Sequence, residues 1–221
     1  MSSAPSSLPH LLLAPLLTAV LLAGAAAPSQ AAPKKLCGQI ANSFGPFDYN
    51  DPGNVQNIAM VEPHHFPEEV ELGIRGATGP LGSDIDYTLR AIPNHPRALA
   101  TMARVGVRDK VTQLPGAQFP VECYFVRAME FQPADPAVRA TYATYLMALG
   151  KLDMARDQLR EAVSLAPQDP TYNYNLGLVY YKTKQFKEAN DYAHKAYALG
   201  FPLPGLKQLL VTAGKWQEPA P

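Results

Sequence analysis

His64-His65, with Glu62, Glu68 and Glu69 close by, is the densest group of titratable side chains in this sequence. Imidazole and carboxylate are the ligand types of zinc, copper and haem-iron sites, and the same groups do general acid–base work. Adjacent histidines hold one ion only where the backbone bends to converge them. His95, Cys37 or Asp48 would then have to complete the site from far along the chain. Nothing in the spacing demands that, and the competing reading is a pair at the start of a helix making ordinary hydrogen bonds. The two cysteines, Cys37 and Cys123, are too far apart to form a redox pair, and thiol catalysis needs an activated cysteine with a resolving partner. The sequence holds no phosphate-cradling glycine loop, no His-Glu-x-x-His pair and no paired-cysteine zinc signature. No catalytic residue, metal ligand or cofactor is therefore assigned, and a metal- or redox-handling protein built on His64, His65 and the cysteines stands as the alternative reading.

Compartment follows from the first residues. Met1 to Ala31 carries no Asp, Glu, Lys or Arg, and Leu11 to Ala27 is an almost unbroken apolar run. This reads as a secretory signal peptide cleaved after Ala31, with Ser29 and Ala31 at the small-residue positions. The alternative is an uncleaved anchor, although the run is shorter than the ~20 residues a spanning helix needs. Lys35-Leu36 before Cys37 does not fit a lipoprotein cleavage site. A periplasmic or secreted protein is thus expected, and an oxidising compartment permits a Cys37–Cys123 disulfide, the alternative being two separately buried thiols. Nineteen basic and nineteen acidic residues cancel, so no broad basic surface calls for nucleic acid or anionic lipid, and the membrane enters only through the leader.

The elements that would position any site come from a repetition. Asp135-Pro136 recurs as Asp169-Pro170, Leu152 as Phe186, Ala155 as Ala189, Ala162 as Ala196 and Leu165 as Leu199, each at a step of 34 residues. Small residues at fixed positions let two helix backbones approach, while bulky partners fill the flanking grooves. This pattern resembles the tetratricopeptide repeat, a helix-turn-helix unit of that length. The second copy carries Leu176-Gly177, Tyr180, Ala189 and Ala196; the first has Tyr142-Ala143, Leu146, Gly150, Ala155, Leu159, Ala162 and Pro167. Phe125, Ala128, Phe131 and Pro133 keep the register of an earlier second helix. Its first helix is placed at about 97–105 by Leu99, Met102 and Ala103, with 106–119 as an enlarged turn. The resemblance implies an all-α solenoid of helical hairpins: a half unit at 83–96, units at 97–133, 134–167 and 168–203, and a capping helix and tail at 204–221.

Residues 32–82 read differently, as an irregular segment rich in proline, glycine and aromatics. Phe44, Phe47 and Tyr49 form either a second docking patch or, the preferred reading, a plug that packs on the first helices and caps the stack. The segment resembles exported bacterial repeat proteins, a likeness that assigns no activity. A short helix is expected from Pro67, the next from Asp84 to about Ile92 behind a Ser83–Asp86 capping box, and the last from Pro204 to about Ala213.

In the family resembled, first helices line a concave groove that holds a partner peptide. Carried over residue by residue, the groove positions are Ala137, Ala140, Thr144 and Met147, then Thr171, Tyr174, Leu178 and Tyr181. Thr144, Met147, Tyr174, Leu178 and Tyr181 are the expected anchors. Asn175 matches one carboxylate-clamp position, but Ala140 and Thr144 stand where further polar residues are needed. The resemblance thus implies a non-enzymatic exported adaptor or scaffold for a protein or peptide partner, in envelope assembly or secretion. A self-assembling subunit, in which another copy covers the groove, remains open.

Overall fold

Asp135 and Asp169 start their helices in the same way. Each carboxylate accepts from the backbone N–H groups two and three residues on, and each is followed by proline at the first helical position, where no N–H is needed. The computed structural model describes residue 1 and residues 37–218; the expected leader at 1–31 and its cleavage point lie outside the described residues. The architecture is all-α. After a 3-10 turn at Pro52–Asn54 come α1 (Val55–His65), α2 (Glu68–Glu71), α3 (Leu81–Ala91), α4 (Pro96–Asp109) and α5 (Val121–Phe131). The chain continues through α6 (Pro136–Ala148), α7 (Leu152–Leu165), α8 (Pro170–Lys182), α9 (Phe186–Ala198) and α10 (Gly205–Thr212).

Helices α6–α7 and α8–α9 are antiparallel hairpins, and α4, α6 and α8 are the first helices of successive units. Ala155, Ala162, Ala189 and Ala196 are fully buried. A Cβ on Gly177 would lie 3.3 Å from the Ala189 carbonyl oxygen and 2.8 Å from Leu206, so α8 lies close against both α9 and α10 there. The turn between the helices of a unit needs a left-handed residue. Gly150 supplies it in one hairpin at φ +74°, and Lys184, at the equivalent place one repeat later, adopts φ +63°. Leu206 and Leu210 of α10 are buried, which closes the apolar end of the stack.

Several N-terminal expectations are corrected. The segment 32–82 is not irregular throughout: α1 occupies Val55–His65 and carries Pro63 inside its last turn. The short helix is only Glu68–Glu71, with Pro67 at its N-cap rather than its first position. Helix α3 begins at Leu81, so Ser83 lies inside it and bonds to the Gly116 carbonyl at 3.2 Å instead of capping. Asp86 is not a capping partner either. It is buried and accepts from the Tyr124 hydroxyl, Arg90 Nε (2.8 Å) and the Gln118 N–H (3.2 Å). Helix α4 runs on to Asp109, so the long turn is 110–120.

Cys37 and Cys123 are joined, across 86 residues, and the bond fastens the start of the described chain to α5. Beside it, Arg127 of α5 is buried, donates from Nη1 to the carbonyls of Cys37 (3.0 Å) and Gln39 (2.6 Å), and lies 4.7 Å from the centre of the Phe119 ring. Burial lowers the guanidinium's pKa. A second tie is polar. Asp48 accepts from Asn94 Nδ2 (2.7 Å) and Gln132 Nε2 (2.6 Å), while Asp135 Oδ2 accepts from Asn50 Nδ2 (2.8 Å) and Asn94 Nδ2 (3.1 Å). The N-cap of α6 therefore also holds the segment preceding α1.

A candidate partner groove between the first helices

The cavity that matters lies where α4, α6 and α8 face one side, and its volume is about 580 Å³. Its walls are Ala100, Ala103, Arg104 and Val107 from α4, and Ala137, Ala140, Thr141, Thr144, Tyr145 and Ala148 from α6. Thr171, Tyr172 and Asn175 of α8 close the far side. The small residues follow from helix geometry: positions three and four apart share a face, and methyl groups there leave an open trough. The volume falls within the range of ligand clefts, about 300–1,000 Å³, and the lining is mostly apolar.

The polar side chains are mainly threonine hydroxyls and tyrosine phenols, with Asn175 and Arg104. Thr144 donates back to the Ala140 carbonyl at 3.1 Å. Tyr145 is buried, and that burial, with the nearby Glu122 charge, raises its pKa. Neighbouring Tyr142 donates to Glu122 at 2.6 Å, and burial together with that bond pushes its phenol up as well. Both tyrosines are thus held neutral, and both rings stack on Phe125, with centroids 4.8 Å and 5.8 Å away. Arg104 stands at the rim and donates to the carbonyls of Leu72 (2.8 Å) and Glu71, which hold the end of α2 against α4.

Of the residues expected from sequence, Ala137, Ala140, Thr144 and Thr171 line this cavity, and Met147, Tyr174, Leu178 and Tyr181 do not. Tyr174 stacks on Phe201 at 3.9 Å and meets Tyr197 edge-on, and its hydroxyl reaches Gly205 at the start of α10. Tyr181 packs edge-on to Phe186 of α9. Both rings belong to the packing around the last hairpin, and Met147 and Leu178 are half-buried against the core. The α4 wall was missed by sequence reasoning. Pro96 starts α4 as Pro136 starts α6, so the groove register carries back to Ala100, Arg104 and Val107, but the interval from Pro96 exceeds one repeat.

Phe44, Phe47 and Tyr49 are not a free patch. Phe44 and Phe47 meet edge-on at 4.9 Å and, with Tyr49, pack on Val61, Ala91 and Ile92. The Phe47 N–H donates to the Ala91 carbonyl at 2.8 Å, the Tyr49 N–H to Asn94 Oδ1 at 3.0 Å, and the Tyr49 ring lies 4.7 Å from that of His95. These are the contacts of a plug.

The histidine pair diverges. His64 is exposed, while His65 stacks on Tyr87 at 3.8 Å and donates from Nδ1 to the buried Asp84, whose carboxylate only accepts. Asp84 also accepts from the N–H of Ala77 (2.8 Å) and Thr78 (3.0 Å) and from the Thr78 hydroxyl (2.6 Å). Burial pushes this carboxyl up, but the bonds from Thr78, His65 and Ala77 outweigh it and hold its pKa below the usual carboxylate value. His95 uses Nδ1 to cap α4, accepting from Ala98 N–H at 3.1 Å, and so donates from Nε2 to Glu62 at 2.9 Å. That bond lowers the Glu62 pKa against the opposing effect of burial, with Arg97 assisting. Among the described residues no group of three or more His, Cys, Asp or Glu is placed to hold a metal ion.

Comparison with known proteins places this geometry in a class. Residues 145–184 match the family model described as TPR repeat. The chain carries tetratricopeptide repeats, arranged as a helical-hairpin solenoid. Among solved structures, that of Pseudomonas aeruginosa pilF is similar at a TM-score of 0.50 and 19% identity, over 72% of this chain and 68% of that one. The MamA structure MSR-1 C2 is similar at 0.41 and 20% identity, over 64% of this chain and 71% of that one. A comparison with curated protein sequences gives no match.

Proposed function

We propose that this protein is an exported, non-enzymatic adaptor that binds a segment of a partner protein in the groove formed by α4, α6 and α8. The observation that carries this reading is the open apolar trough on the first-helix face, about 580 Å³ in volume and floored by alanines. A trough of that depth lined by methyl groups binds by excluding water from a complementary apolar surface. Export is inferred from the charge-free leader and agrees with the Cys37–Cys123 bond, since disulfides persist in oxidising compartments. Service in envelope assembly or secretion is the role proposed for such an exported adaptor.

The test is affinity capture from the cell's own envelope extract, with the mature chain and its Thr144→Trp variant as baits. Thr144 is exposed at mid-groove, so the indole fills the trough without entering the core. Partners retained by the wild-type chain and lost with Thr144→Trp are expected. An identical set of partners on both baits would overturn the groove assignment.

A further inference from the structure

We propose that the groove's occupant is an amphipathic helix bearing an Asp or Glu that meets Arg104; this rests on the groove reading above and adds the chemistry of the partner. Helix α4 carries three exposed arginines, Arg97, Arg104 and Arg108. Arg97 pairs with Glu62 and Glu71, and Arg108 with Asp109. Arg104 has only neutral acceptors: the carbonyls of Leu72 and Glu71 and, at 3.3 Å, the Thr101 hydroxyl. No carboxylate among the described residues pairs with it, and it is the one charged residue lining the cavity. A partner carboxylate at that rim would complete a charge-assisted hydrogen bond beside an apolar, water-poor surface, where such bonds are strongest.

The shape of the trough selects a helix over an extended strand. A strand needs partners for its own N–H and C=O groups. The trough offers the Thr141 and Thr171 hydroxyls and the Asn175 amide at scattered points, with alanines between them and Thr144 donating to Ala140, and so has no row of partners for a strand's backbone. A helix satisfies its backbone internally and presents apolar side chains at i, i+3, i+4 and i+7 to a groove. Charge also excludes one occupant. Residues 1–36 of this chain contain no Asp or Glu and include Lys34 and Lys35, so neither the leader at 1–31 nor the residues just after it offer Arg104 a carboxylate.

The probe is a displayed library of helix-patterned peptides of about four turns, selected on the mature chain. Selected peptides are expected to share an acidic position at one end of an apolar stripe. Changing that residue to Gln should weaken binding about tenfold on the wild-type chain, as loss of a charged partner does. On Arg104→Gln the acid and amide peptides should bind alike, whereas Arg104→Lys should restore the preference. Circular dichroism of both variants checks that α2 and α4 remain folded. Peptides blocked by Thr144→Trp but indifferent to the acid would overturn this inference and leave the groove reading standing. A library without any Thr144→Trp-sensitive peptide would overturn both. Dimers in light scattering that Thr144→Trp dissolves would assign the groove to a second copy instead.

Discussion

Truncating Asp84 to alanine tests whether the N-terminal half of the fold is held by polar contacts rather than by repeat packing. The Asp84 carboxylate is fully buried and accepts four hydrogen bonds, three from Ala77 and Thr78 and one from His65. Each bond to a charged acceptor contributes about 1.5–3 kcal/mol in isolation. Bonds to one group are not additive, and the carboxylate's own desolvation offsets part of the gain. The expected loss for Asp84→Ala is therefore about 3–5 kcal/mol, the usual cost of removing one partner from a buried polar cluster. For a chain of this size that corresponds to a fall in melting temperature of roughly 6–20 °C. Thermal and urea unfolding followed by circular dichroism give the magnitude. Limited proteolysis gives the location, since the Gly73–Pro80 connector is what the carboxylate gathers. The effect must also depend on pH. The folded pKa is depressed, so the contribution is complete above the unfolded value of about 3.9 and is lost as pH falls through the lower folded value. Wild type and variant should accordingly converge in strongly acidic solution. A loss below about 1 kcal/mol at neutral pH, or cleavage outside the connector, would refute the reasoning.

Two further outcomes follow from the geometry. Lys184→Gly should raise stability by about 0.5–1 kcal/mol, because Lys184 holds a left-handed backbone that glycine adopts without steric cost. Gly150→Ala, at the equivalent turn, should lower it, and unchanged melting temperatures for both would contradict the turn assignment. Reducing the Cys37–Cys123 bond should cost about 2–4 kcal/mol through the freed loop. Hydrogen exchange should rise first around residues 37–43, with the α6–α9 amides still protected; uniform loss of protection would show that the bond supports the whole stack.

The repeats were legible because the determinants are local. An Asp-Pro pair that caps and starts a helix, small residues at the crossings and a glycine at the turn act within one unit, and α6 to α9 fall where they predict. The N-terminal half was less legible because its determinants are distant. Helix α1 buries only Val61 completely and contains Pro63, so its sequence lacks both a strong apolar stripe and an uninterrupted run. Ser83 and Asp86 have the spacing of a capping box, yet besides Arg90 one turn on from Asp86 their partners are Gly116, Gln118 and Tyr124, more than thirty positions away. The groove shows the same division. Its register on α6 could be read from the repeat, but its extent depends on the loop after α9, whose Phe201 stacks on Tyr174, and the trough is lined by α4, α6 and α8.

Asp135 gives the stack an unusual topology of connection. A helical-repeat array is close to a one-dimensional chain of units, each coupled only to its neighbours, and such arrays open from the ends. Here one oxygen of Asp135 starts α6 while the other is bound by Asn50 and Asn94, so a residue in the middle of the array is coupled directly to segments 85 and 41 positions earlier. With Cys37 fixed to Cys123, the array is circularised at its N-terminal side. The stretch from Cys37 to the start of α6 is thus cross-linked at both of its ends, whereas the C-terminal hairpin and α10 carry no comparable tie among the described residues. The α4 and α6 walls of the groove thus belong to the cross-linked side, while the α8 wall is held only by its packing on α7, α9 and α10.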